Sequence, residues 1–189
     1  PEPNWRFAVF AAIGGLTQIL GTAFLIHLFS FRNFVVGTAF SKTETIQAAI
    51  IGILVLADPI TTWALVAILV SLVGLWVLSI AHQEVGFREL VSSLVERTAV
   101  IGIACGATFG IAAVSYRAAS LSLNAGFVVS AACTLAVVLV LQTVAMGIYL
   151  ALREPGQLAK VVRAWRVAGI VGLAGMLAST GWFTTMTIQ

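Results

Sequence analysis

Residues 127–152 read FVVSAACTLAVVLVLQTVAMGIYLAL. This run of 26 residues carries no Asp, Glu, Lys or Arg, and as a helix it is about 39 Å long. About 20 mostly apolar residues suffice to cross the hydrocarbon of a bilayer. Inside hydrocarbon only a helix or a closed barrel satisfies its own backbone groups. The run does not alternate apolar with polar, so it predicts a spanning helix. Five further runs read the same way, over 7–30, 34–56, 61–80, 99–119 and 167–188. The expected fold class is all-α and integral to a membrane, with six transmembrane helices.

Composition points the same way. A soluble domain is about 25% charged. This chain of 189 residues is 9% charged and 60% apolar, with a mean hydropathy of +1.08. A soluble fold, a disordered chain and a nucleic-acid binder are excluded as first readings. Most of the basic excess behind the net charge of +3 lies between the runs, where it bears on membrane orientation. Cys105 and Cys133 both lie in apolar runs and read as core thiols with no disulfide or metal role.

Short breaks separate most runs. Arg32-Asn33 divides the first two, and Asp58-Pro59 ends the second and opens the third, because proline fits a helix start and breaks an interior. Asn124-Ala125-Gly126 is a turn signal before the fifth. Two longer connectors, 84–97 and 154–166, are amphipathic. Phe87, Leu90, Val91 and Leu94 share one helical face in the first, and Leu158, Val161, Val162 and Trp165 share one in the second. Such segments lie in the headgroup layer or simply connect.

An internal match appears at an offset of 160. Trp5-Arg6 falls on Trp165-Arg166, Ala8 on Ala168, Gly15 on Gly175 and Gly21 on Gly181. Five spans separate the two starts, and five is odd, so the two copies enter the membrane from opposite faces. That is the pattern of an inverted-topology repeat. The partner of the second run then falls beyond position 189, and the chain reads as the middle of a longer bundle.

Residues 31–79, FRNFVVGTAFSKTETIQAAIIGILVLADPITTWALVAILVSLVGLWVLS, resemble the fourth and fifth helices of EamA-type permeases of the drug/metabolite transporter superfamily. GIACGATFGIAAVSYRAASLSL, from 102, is similar to their sixth helix, and WRVAGIVGLAGMLASTGWFTTMTIQ, from 165, to their eighth. The informative parts are the SKTE block at Ser41–Glu44 and the Gly181-Trp182 pair. Ala57-Asp58-Pro59 stands where the family carries a glycine-acid-arginine turn. The resemblance implies a ten-helix bundle of two inverted five-helix repeats, of which this chain covers about helices three to eight. Residues 1–81 would close the first repeat, 82–97 would connect, and 98–189 would open the second. It also implies a multi-pass protein, of a plasma (inner) membrane, that moves a small metabolite or drug through a central cavity.

Polar groups within the runs are the candidates for that cavity. Lys42, Thr43, Glu44 and Gln47 sit near the middle of 34–56. A charge at that depth costs about 2.5–3.5 kcal/mol on insertion scales, so it faces a cavity, a partner or the interface. Residues two apart do not face each other on a helix. Glu44 therefore shares a face with Ser41 and Gln47, and Lys42 with Thr38 and Thr45. One reading lines the cavity with them and makes Glu44 a proton carrier; the other makes them an interfacial pair with Lys42 snorkelling. Arg117 is either a counter-charge or an interface anchor. Gln18 and Thr22 share one face of the first run. Ser179, Thr180, Trp182, Thr184 and Thr185 enrich the last, although hydroxyls within helices often bond their own backbone. The substrate-cavity candidates are Lys42, Thr43, Glu44, Gln47, Gln18, Thr22, Arg117, Ser179 and Trp182.

Gly102, Gly106 and Gly110 recur every four residues, and Ala168, Gly172 and Gly175 repeat the theme. Such bare faces let membrane helices approach closely. Arg6 and Arg117 lie on the side of Pro1, against Arg32, Arg88, Arg97, Arg153, Lys160, Arg163 and Arg166 on the other. The positive-inside rule places the second group in the cytoplasm, whereas the resemblance implies the reverse. No HExxH, GxSxG, CxxC or Walker pattern is present, so no enzyme is expected, and neither a cofactor nor a metal. The expected function is secondary transport by alternating access, with a small-molecule substrate, a proton as candidate coupling ion, and membrane lipid as the surroundings. The alternatives are a structural membrane subunit and a membrane-embedded enzyme.

Overall fold

In a computed structural model, residues 4–31, 34–57, 61–81 and 97–188 are described, and they form eight helices and no strand. In chain order these are α1 (Trp5–Leu28), α2 (Phe34–Ser41), α3 (Glu44–Leu56), α4 (Thr62–Ala81), α5 (Arg97–Leu121), α6 (Phe127–Arg153), α7 (Gln157–Arg163) and α8 (Trp165–Ile188). Four helices are long and apolar enough to cross a membrane: α1, α5, α6 and α8, the last over Trp165–Phe183. The apolar stretches Glu44–Leu56 and Thr62–Ser71 are shorter. The amphipathic connector expected over 84–97 lies outside the described residues except for Arg97, as do Arg32-Asn33 and Asp58-Pro59.

The main difference from the expected six spans is in the second run. Residues 34–56 are not one helix but two, parted at Lys42-Thr43. The cause is local hydrogen bonding. Ser41 Oγ donates to Thr38 O at 2.7 Å and Thr43 Oγ1 to Phe40 O at 2.7 Å, and hydroxyls that bond back to their own helix bend it. The backbone tightens as well: Thr43 N–H donates to Phe40 O, three residues back, at 3.1 Å. Thr43 O then accepts from both Ile46 N–H and Gln47 N–H, at 3.0 and 3.1 Å, and α3 starts.

At its other end α3 closes on Ala57, which is left-handed with φ 53° and donates its N–H to Ile53 O at 3.1 Å. Glycine takes that conformation without a Cβ penalty, and an alanine there costs about 1–2 kcal/mol. Ala57→Gly is therefore expected to raise stability by about 1 kcal/mol, read as a higher midpoint in denaturant titration of the detergent-solubilised protein.

The chain divides into two compact units. One comprises residues 1–15 and 115–189, the other 16–114. The division falls within α1, after Gly15, and within α5, after Val114. In the first unit α6 packs along α8, with α7 bridging their ends. Asn4 opens α1: its Oδ1 accepts from Phe7 N–H at 2.8 Å, and its Nδ2 donates to Ser122 O at 2.7 Å. Asn124, left-handed at φ 48°, makes the turn into α6, as the Asn-Ala-Gly signal predicts. In the second unit α2 packs on α4. Of the membrane-length helices α5 is the most buried and α8 the least. The outer faces of α6 and α8 expose Val140, Val144, Ile148, Val167, Ile170 and Val171. Large apolar surfaces of this kind are at rest in lipid and not in water.

Candidate functional site

The break at Lys42-Thr43 gathers four of the nine candidate residues in the second unit. Lys42 is exposed just past the end of α2, and Glu44 is half-buried in the first turn of α3. Each charge complements the helix end beside it, since a helix carries partial negative charge at its C-terminus and partial positive charge at its N-terminus. Two opposite charges two residues apart are therefore tolerated in an apolar run because the helix stops between them. Among the described residues the Glu44 carboxyl has no hydrogen bond and no ion pair.

Gln47 ties the break to α5. Its Nε2 donates to Thr43 Oγ1 at 2.7 Å and to Ile103 O at 3.3 Å. The Thr43 hydroxyl has already given its proton to Phe40 O, so it meets the amide as an acceptor. The amide therefore spends its N–H groups on Thr43 and on the Ile103 carbonyl.

The seat of the break is the glycine stripe of α5. A Cβ on Gly102 would run into Gly37 O and lie 2.9 Å from Phe40 Cβ. One on Gly106 would lie 2.8 Å from Ser41 O and 3.1 Å from Glu44 N. One on Gly110 would lie 3.1 Å from Ala48 N. The backbones of α2, the break and the start of α3 thus rest directly on α5. This is the packing that small residues permit between membrane helices. On the far side, Cys105 Sγ donates to Gly21 O at 3.3 Å, and a Cβ on Gly21 would lie 2.8 Å from Thr108 Oγ1.

A polar seam runs through the first unit. Tyr116 Oη donates to Gly14 O at 3.0 Å, and Gln142 Nε2 donates to Tyr116 Oη at 3.2 Å and to Gly15 O at 3.4 Å. Ser120 Oγ donates to Thr134 Oγ1 at 3.0 Å, which donates to Ser130 O at 2.8 Å. The Tyr116 ring meets the Phe183 ring with centroids 4.9 Å apart.

The other five candidates divide between the units. Gln18 and Thr22 lie in the second unit, and Thr22 Oγ1 donates to Gln18 O at 2.9 Å along its own helix. Arg117, Ser179 and Trp182 lie in the first. Arg117 and Ser179 are half-buried. Trp182 is 55% exposed, whereas its neighbour Phe183 is 5% exposed.

No family model, curated protein or solved structure matches this chain. Three of the residues that build the polar seam, Tyr116, Gln142 and Phe183, are not among the sequence candidates. Gln142 had a legible signal, as an amide within a run of 26 residues free of charge. Tyr116 and Phe183 had none, because aromatic residues are ordinary in apolar helices.

Proposed function

We propose that this chain is the central part of a small-molecule permease that works by alternating access around the broken α2–α3 segment. The break carries the reading. Transporters commonly place substrate and coupling ion at interrupted helices, where half-helix ends and freed polar groups meet the cargo. Here the interruption holds Lys42, Thr43, Glu44 and Gln47 in an otherwise apolar stretch. A half-buried carboxyl with no hydrogen bond among the described residues is the natural proton carrier, since protonation removes its charge when it is cut off from water. Bare glycine seats on α5 give the segment a smooth surface on which to shift.

The Trp-Arg and glycine match between the first and last runs supports a ten-helix bundle of two inverted five-helix repeats, of the EamA type, in a plasma membrane. In that arrangement Lys42, Glu44 and Gln47 bind cargo, and Gln18 and Thr22 of the same unit line its route.

Reconstituted vesicles holding an internal pH dye test this reading. With a panel of amines, amino acids and sugars applied outside, at least one compound is expected to move protons in a way protein-free vesicles do not. Glu44→Gln is expected to abolish that proton movement while leaving exchange of the compound across the membrane. A Glu44→Gln protein that moves protons at the parent rate would rule out Glu44 as the carrier.

A further inference from the structure

Arg153, Lys160, Arg163 and Arg166 surround α7 (Gln157–Arg163), and Glu154 is the one acid in residues 153–166. All five are exposed, and among the described residues none of the four cations forms an ion pair. The Arg166 guanidinium stands over the Trp165 ring, 5.6 Å from its centroid. The opposite end of the first unit is marked by Asn4, which bonds Ser122 O near the start of α6. That end repeats the stacked pair as Trp5-Arg6, with Arg117 as its other basic residue. The charge of this unit is therefore one-sided.

The helices on either side set the height of α7 in the bilayer. Both α6 and α8 are long and apolar enough to cross a membrane. The uncharged run that ends at Leu152 is about 39 Å long as a helix, against about 30 Å of hydrocarbon. The surplus of about 9 Å, shared between two ends, puts Arg153 about 5 Å outside the hydrocarbon, in the headgroup layer. Backbone hydrogen bonds keep the connector at that level. Glu154 N–H donates to Leu150 O at 2.9 Å, and Gln157 N–H to Glu154 O at 3.0 Å. At the far end Ala164 N–H donates to Lys160 O at 3.0 Å, and Ala164 O accepts from Ala168 N–H at 2.9 Å. In this way α7 is bonded to the end of α6 and to the start of α8, and it packs on both.

No residue of α7 is buried. Leu158, Val161, Val162 and Trp165 form one arc and are between 38% and 69% exposed. Lys160 and Arg163 lie across the helix from that arc. An apolar arc backed by cations suits a helix lying in a membrane surface, with the arc toward the acyl chains and the cations among the phosphates. A zwitterionic headgroup brings its own ammonium to its phosphate, whereas an anionic one leaves the phosphate charge to the protein. We infer that α7, with Arg153, Lys160, Arg163 and Arg166, is a binding surface for anionic phospholipid and gathers it at one end of the first unit in preference to zwitterionic lipid. Lipid selection of this kind is independent of whether the protein transports anything.

The full chain in phosphatidylcholine vesicles tests it, with Cys105 and Cys133 replaced by alanine and a bimane dye on Val162→Cys. Phosphatidylglycerol or phosphatidylcholine brominated on its acyl chains is added at one fixed fraction. The brominated phosphatidylglycerol is expected to quench the dye about three-fold more strongly at low salt, and the difference is expected to vanish in 1 M salt. The same dye on Val128→Cys, exposed at the other end of α6, is expected to show no preference. Lys160→Gln with Arg163→Gln is expected to remove most of the preference, and Lys160→Arg with Arg163→Lys to keep it. Equal quenching by the two lipids at Val162→Cys, a preference undiminished in the glutamine pair, or the same preference at Val128→Cys overturns the anionic-lipid surface. Weak quenching by both lipids places α7 in water, open to a soluble acidic partner, and overturns it as well.

Discussion

Gly102→Ala is expected to destabilise the protein by about 3 kcal/mol, near the upper end for overpacking a well-filled contact. The new methyl would enter Gly37 O and press on Phe40 Cβ at 2.9 Å. A carbonyl within a helix cannot step aside as the tip of a long side chain can, so α2 as a whole has to lift from α5. Gly106→Ala meets Ser41 O at 2.8 Å, again backbone, and is expected to cost about 2 kcal/mol and to disturb the Gln47 contact beside it. Gly110→Ala meets Ala48 N at 3.1 Å and is expected to cost about 1 kcal/mol. Gly172→Ala on α8 is the control. Nothing among the described residues lies within 4 Å of the added carbon, and no loss is expected. Denaturant titration of the purified proteins in one detergent reads the series. A flat response across Gly102, Gly106 and Gly110 would show that the stripe does not seat the break.

Tyr116→Ala is expected to cost about 3–5 kcal/mol, the range for deleting a buried aromatic ring. The ring is 3% exposed, it fills the space above Gly14, where an added Cβ would lie 2.6 Å from its Cδ1, and it stacks on Phe183. Removing it opens a cavity among three helices and takes away the acceptor that orients Gln142. Tyr116→Phe keeps the ring and loses only the hydroxyl, and is expected to cost about 1 kcal/mol, since hydrogen bonds between membrane helices are individually modest. A double-mutant cycle of Tyr116→Phe with Gln142→Leu isolates the bond between them, with an expected coupling of about 1 kcal/mol. A coupling of zero would mean that the amide is not held by the phenol.

Much of the helical framework is legible in residue order. The start of α6 at Phe127, the turn at Asn124 and the start of α2 at Phe34 coincide with sequence signals. The break at Lys42-Thr43 is less plain. Its ingredients are all present in the Ser-Lys-Thr-Glu block, but the same block reads equally well as two charges on an unbroken helix. The choice depends on whether the hydroxyls bond back to Thr38 and Phe40 and on what lies against the backbone there. The glycines show a related gap. Ala168, Gly172 and Gly175 have the spacing of a packing face as Gly102, Gly106 and Gly110 do. Yet the α5 set meets backbone, whereas Gly172 and Gly175 meet nothing described.

The sequence by itself determined that this protein is helical and that its helices are of the kind that cross membranes. That conclusion needs only run length and charge, because hydrocarbon leaves the backbone almost no other choice. Which polar groups meet one another was decided by tertiary structure alone. The Gln142 amide donates to Gly15 O and to the Tyr116 hydroxyl, which donates in turn to Gly14 O. Gly15 lies 127 residues away along the chain and Tyr116 lies 26 away, and no local pattern records that either meets the amide.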